Sequence, residues 1–205
     1  ISSHVHVARS NRNIISDSGV DKVYRSVLAT FIILFSAIAS AANAQTLFRG
    51  NDGDPETLDH HGTSTISESR LMDDLYSGLV DFGPDGNVVA GTAERWDISD
   101  DGLVYTFHLR ENARWSNGDP VTAGDFVFAL RRLMEPLSAA KYATILYVIE
   151  DAEPVNTGQM DVEALGVRAI DDKTLEIRLE QATPYFLNQL THQTGKPLLQ
   201  ASVEA

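Results

Sequence analysis

Between Leu103 and Arg110 the chain alternates. Leu103, Tyr105, Phe107 and Leu109 fall on one face and Val104, Thr106, His108 and Arg110 on the other, the period-two pattern of a half-buried strand. Asp100-Asp101-Gly102 before it is turn chemistry, because glycine accepts the positive φ that other residues resist. Asn117-Gly118-Asp119-Pro120 ends the strand region. Thr122 followed by Asp125 then fits a capping box, and the apolar run Phe126 to Met134 predicts a helix. A second box, Thr65 with Glu68, introduces Leu71, Met72, Leu75, Tyr76 and Leu79, the spacing of an amphipathic helix expected to pack on a sheet. Pro84-Asp85-Gly86-Asn87 marks a turn between the short apolar runs Leu79-Val80 and Val88-Val89. Further on, Leu165 to Ile170 and Thr174 to Leu179 flank Asp171-Asp172-Lys173, which predicts a hairpin. Thr183 reads as an N-cap with Pro184 at the first position of a last helix over Tyr185 to Leu190. Thr46 to Arg49 is a short strand candidate, followed by a loop from Gly50 to Gly62. Strands and helices interleave without a repeat, so the fold class is mixed α/β.

The first 44 residues follow a different pattern. Residues 1–22 are polar, lack a periodic apolar face and begin with Ile1, so they are expected to be a non-native or disordered leader. Lys22 and Arg25 then precede the apolar run Val27 to Ala39, and Ala42-Asn43-Ala44 follows. A positive start, an apolar core of this length and a small-x-small site predict a cleavable secretory signal peptide over 23–44, cut after Ala44. The run falls short of the ~20 apolar residues that a membrane span needs.

Composition narrows the partners. The 205 residues carry a formal net charge of −13, which argues against nucleic acid or an anionic membrane surface as partner. Past Ala44 the balance is 12 basic against 27 acidic residues. There is no cysteine, which excludes disulfides and a lipidated cysteine after the signal peptide.

The blocks Ala93-Glu94-x-Trp96, Tyr105-Thr106-Phe107-x-Leu109-Arg110 and Ala113-x-Trp115-Ser116-x-Gly118-x-Pro120-Val121-Thr122-Ala123-x-Asp125-Phe126 resemble those of the periplasmic oligopeptide-binding proteins. These are the family 5 extracellular solute-binding receptors of peptide ABC importers. The likeness runs from about Leu47, through Pro55-x-Thr57-Leu58-Asp59, to Pro184-Tyr185-Phe186 and about Pro197. It implies the N-terminal part of a two-lobe, type II periplasmic-binding-protein fold with a satellite domain, and a second lobe that this sequence does not contain. On that basis 45–88 starts the first lobe, 89–163 is the satellite domain, and 164–205 returns towards the first lobe, hairpin included. The resemblance further implies a periplasmic monomer that captures a peptide for a membrane permease, with neither catalysis nor a cofactor.

By position after the Pro55-x-Thr57-Leu58-Asp59 motif, Ser64, Thr65 and Ile66 match the family's cleft-lining loop, and Tyr142 matches a tyrosine presented to the peptide from the satellite side. Each has a plainer use: Ser64 and Thr65 can cap the helix that follows, and Ile66 can serve as staple or core. Trp96 and Trp115 read as core anchors. Arg110 and Asp125 could form an ion pair or a cap. His60 and His61 are adjacent, so in an extended chain their rings point to opposite sides, and with no third ligand at useful spacing no metal site is expected. Dipeptide, nickel chelate, haem or oligosaccharide are alternative solutes. The alternative from another class is an exported hydrolase using two carboxylates among Asp97, Asp100, Asp101 and Asp119. Turn contexts argue for solvated side chains there, and neither G-x-S-x-G nor H-E-x-x-H occurs.

Overall fold

The computed structural model describes Val27 and residues 50–203. The expected leader, the rest of the signal peptide and the Thr46–Arg49 strand lie outside the described residues. From Asn51 onward the chain forms one compact unit. Its centre is a four-stranded antiparallel sheet of order β3-β4-β6-β5, made of β3 (Ala93–Ile98), β4 (Val104–Leu109), β5 (Val167–Asp171) and β6 (Thr174–Arg178). β4 is the alternating strand of the sequence, and Tyr105, Phe107 and Leu109 are the buried face. The 165–179 hairpin forms, and its second strand β6 pairs with β4, with Phe107 opposite Leu175 and Tyr105 opposite Ile177, because both strands bury the same apolar face.

Helix α2 (Ala123–Met134) covers that face, packing on β5 and β6. Both arms of its capping box form: Asp125 N–H donates to Thr122 Oγ1 at 3.3 Å, and Thr122 N–H to Asp125 Oδ2 at 2.8 Å. Phe126, Leu130, Leu133 and Met134 are buried at helical spacing and meet Phe107 in the core. Lys173 fastens the hairpin turn to the start of α2, its Nζ donating to Val121 O at 2.9 Å. Trp96 and Trp115 are half-buried against this core. Trp115 Nε1 donates to Asp125 Oδ2 at 3.2 Å, whereas Arg110 Nε donates to Gly91 O at 2.8 Å, so Asp125 is a cap and not the partner of Arg110.

Helix α1 (Ile66–Leu75) also starts on a complete capping box, but among the described residues its main packing partner is not a sheet. It rests on the 3₁₀ turn Gln193–Gly195. Met72 is buried, yet Leu75 is 60 % exposed, and the chain turns extended at Tyr76, so Leu79 reaches the core from outside the helix. Strands β1 (Val80–Phe82) and β2 (Val88–Ala90) make the expected hairpin. Short helix α3 (Ala152–Asn156) follows the 3₁₀ turns Pro136–Ser138 and Ala143–Leu146, and α4 (Phe186–Leu190) and α5 (Gln200–Val203) close the described chain. Thr183 does not cap α4: its hydroxyl donates back to Gln181 O at 3.0 Å, and α4 begins two residues after Pro184 with no side-chain cap.

Candidate functional site

The loop from Asp59 to Thr65 is folded on itself and held from several sides. Asp59 starts it, accepting His61 N–H at 3.1 Å on its carboxylate and Gly62 N–H at 2.9 Å on its carbonyl. Arg132, in the last turn of α2, reaches back and pairs with Asp59 through both terminal nitrogens, with Nη1 at 3.1 Å from Oδ1. Burial raises the Asp59 pKa, but the Arg132 hydrogen bond and the His61 amide outweigh it and the net shift is downward.

The adjacent histidines depart from the sequence expectation. The chain is turned here rather than extended, so the rings of His60 and His61 do not point apart; they meet edge to face with centroids 4.5 Å apart. Both are buried, at 0 % and 2 % exposure. His61 Nδ1 lies 2.9 Å from Arg132 Nη1, which makes it an acceptor and the ring neutral. Burial holds the His60 pKa down at about 4; for His61, burial, the neighbouring His60 and Arg132 hold it at about 3. A guanidinium beside the pair disfavours a bound cation, and among the described residues no cluster of three metal-ligating side chains occurs.

From this anchored loop Ser64, Thr65 and Ile66 emerge at the surface. The Ser64 and Thr65 backbone is fixed by Glu68, 2 % exposed, whose Oε2 accepts Ser64 N–H, Thr65 N–H and Thr65 Oγ1–H, each at 2.9 Å, while Oε1 accepts Glu56 N–H at 3.0 Å. The Ser64 and Thr65 amides dominate in pushing the Glu68 pKa down to about 2. The hydroxyl of Thr65 is thus spent on the cap. Ile66 is neither staple nor core, at 73 % exposure.

Tyr142 arrives from the other side. The 3₁₀ turn Pro136–Ser138 ends on Ala139 in the left-handed region (φ 49°), which swings the chain back so that Lys141 N–H donates to His61 O at 3.0 Å. The Tyr142 hydroxyl then donates to Ser64 O at 3.1 Å. The four residues singled out from sequence, 78 positions apart at the extremes of that bond, therefore share one edge. A third segment completes it: the Tyr142 ring packs edge to face on His192 at 5.4 Å, and buried Gln193 donates Nε2 to Thr63 O at 3.3 Å and to Thr63 Oγ1. His192 also borders a groove of about 870 Å³ lined by Asp73, Tyr76, Asp81, Asn188 and Lys196. Glu68 was visible in the sequence as half of a capping box. Neither His192 nor Gln193 carried any local signal.

The aspartates of the hydrolase alternative serve structure. Asp97 accepts His108 Nε2 at 2.8 Å across the β3–β4 pair, Asp101 accepts Leu103 N–H at 3.0 Å within its turn, and Asp119 accepts from Asn117 Nδ2 at 2.7 Å. All are exposed, and the pKa values of Asp97 and Asp101 are lowered, the opposite of a carboxyl held protonated as a general acid.

Residues 87–203 match the family described as bacterial extracellular solute-binding proteins, family 5 Middle. The chain belongs to that family. It is 41 % identical over 165 residues to the periplasmic oligopeptide-binding protein OppA of Escherichia coli K12, covering 80 % of this chain and 30 % of that one. It is likewise 41 % identical over 157 residues to the probable deoxycholate-binding periplasmic protein YgiS of the same organism, covering 75 % and 29 %. Among solved structures it resembles Haemophilus influenzae OppA in complex with the peptide RPPGFSPFR, with a TM-score of 0.73, 42 % identity and coverage of 76 % and 31 %. The substrate-binding domain of a Bacillus anthracis oligopeptide ABC transporter gives a TM-score of 0.76 at 41 % identity, covering 78 % and 31 %. The chain thus spans about a third of the length of these relatives. Among the described residues no helix is long and apolar enough to cross a membrane.

Proposed function

We propose that this chain supplies one wall of an extracytoplasmic peptide receptor that delivers its ligand to the permease of an ABC importer. The receptor works as a periplasmic monomer, exported by the 23–44 signal peptide, and performs no catalysis. The edge formed by Ser64, Thr65, Ile66 and Tyr142 faces the ligand. The observation that carries this reading is the Tyr142 hydroxyl on Ser64 O, which joins two surface segments from distant parts of the sequence into one edge. Around that edge the backbone amides are fixed by Glu68 and the loop by Arg132 and Gln193, so little ordering is left to be done when a ligand arrives. Ile66 offers exposed apolar area, and Tyr142 an amphipathic ring. Relatives described as oligopeptide-binding, one of them holding a nine-residue peptide, support the peptide as solute.

The test is calorimetry on the full-length native protein with a panel of peptides, a dipeptide and deoxycholate, the last because one relative is described as binding it. Peptides are expected to bind, with Ile66→Ala and Tyr142→Ala each weakening them about tenfold, the loss of one anchoring contact. Binding of deoxycholate with no peptide binding would overturn the reading.

A further inference from the structure

The three segments of the ligand edge form a closed circuit of contacts. Tyr142 bonds to Ser64; Thr63, next to Ser64, is pinned by Gln193; Gln193 opens the Gln193–Gly195 turn; and that turn is capped by His192, whose ring returns to Tyr142. His192 is the N-cap of the turn, its Nδ1 accepting Thr194 N–H at 3.3 Å and lying 3.0 Å from Thr194 Oγ1. Only an imidazole with a lone pair on Nδ1 can accept that amide. A proton on Nδ1 would set N–H against N–H, and Thr194 Oγ1 alone could still accept.

We infer that His192 is a positioning residue for the ligand edge, holding the 193–195 turn, and through it the Ser64 loop and Tyr142, only while its ring is neutral. The turn has little freedom to compensate. A Cβ on Gly195 would meet the backbone of Leu190 at 3.0 Å or less, so the turn sits directly on the end of α4. Gln193 is 2 % exposed, with its Oε1 unpartnered among the described residues, which leaves its hold on Thr63 as its hydrogen-bonding role. The charged groups around His192 pull in both directions. Asp73 and Asp74 of α1 and Asp81 line the same groove; Asp73 favours a protonated ring, whereas Lys196, with Nζ 2.9 Å from Asp73 Oδ1, opposes it. Burial is the largest influence and, with Lys196, outweighs Asp73, so the His192 pKa lies below its ordinary value. The ring is therefore neutral at pH 7 and takes up its proton only below the ordinary imidazole range.

The inference rests on the peptide reading for its consequence but not for its measurement. In the full-length native protein, trialanine, which carries no titrating side chain, is expected to bind about two- to tenfold more weakly on the acid side of the His192 titration, followed by its ring resonances, than near pH 7, the loss of one hydrogen bond's net contribution. His192→Asn keeps an acceptor at the cap but does not titrate. It loses the ring contact with Tyr142, so it is expected to bind more weakly than the native protein near pH 7, and to lose less than the native protein on acidification. Native-like acid weakening in His192→Asn, or a native affinity flat across the His192 titration, would overturn the inference. A ligand-free readout separates it from the peptide reading: the amide resonance of Thr194 and those of Ser64 and Tyr142 should move together along the His192 titration. If no peptide binds at either pH the peptide reading fails, and the positioning role is then upheld by that joint titration or overturned by its absence.

Discussion

The buried histidine pair makes the strongest quantitative prediction, because its effect on stability has a defined pH window. In the unfolded chain each imidazole titrates near its ordinary pKa of about 6.5. In the folded chain His60 and His61 titrate at about 4 and about 3. For a base whose pKa is lowered by folding, the unfolded state binds more protons, so stability is full above about pH 6.5 and is lost as pH falls towards the folded values. At about pH 5, some 1.5 units below the unfolded pKa, each ring that stays neutral forgoes about 2 kcal/mol, and the pair about 4 kcal/mol. That is a large part of the 5–15 kcal/mol that typically holds a domain together. Asp59, with its lowered pKa, also loses its contribution in acid, but only below the ordinary carboxylate pKa of about 4, so the two effects separate. The assay is urea denaturation near pH 7.5 and near pH 5. His60→Leu is the diagnostic variant, since both ring nitrogens of His60 lack a partner among the described residues and an apolar replacement costs little near pH 7.5. It should recover about half of the acid loss. Native stability unchanged between the two pH values, or a His60→Leu variant that loses as much as the native chain, would refute the reasoning.

Other substitutions test the packing and caps that frame the edge. Thr65→Ala removes the cap of α1 and should cost about 1 kcal/mol in the same denaturation assay, with Thr122→Ala costing a similar amount at α2. Phe107→Ala, at the centre of the sheet–helix core with no exposure, should cost about 3–5 kcal/mol, read as a shift of the urea midpoint. Lys196 is 2 % exposed and donates to Tyr76 O at 3.0 Å and to Asp73, which is 63 % exposed. Asp73→Asn leaves a buried ammonium short of its counter-charge and should destabilise more than Lys196→Met, which removes the charge itself; the reverse order would show that the carboxylate gives the pair nothing.

Local chemistry determined much of this protein. The alternation over Leu103 to Arg110, the two capping boxes and the turns at Pro84–Asn87 and Asp171–Lys173 each depend on interactions within a few residues, and each formed as the sequence predicts. Ser64, Thr65, Ile66 and Tyr142 could be singled out because motifs flank them, but nothing in those motifs says that the Tyr142 hydroxyl reaches Ser64 O. Two features were decided only by tertiary structure. β6 joined β4 because both present an apolar face to α2, a match between strands some 70 residues apart that no local window contains. The lost cap at Thr183 is by contrast a local competition, its hydroxyl taking Gln181 O two residues back. The rings of His60 and His61 were brought together because Asp59, Arg132 and the 193–195 segment fold the loop, overriding the side-to-side alternation of an extended chain. The circuit through His192 and Gln193 belongs with these: it closes over 130 residues of sequence, where a single polar side chain carries no pattern of its own until folding supplies its partner.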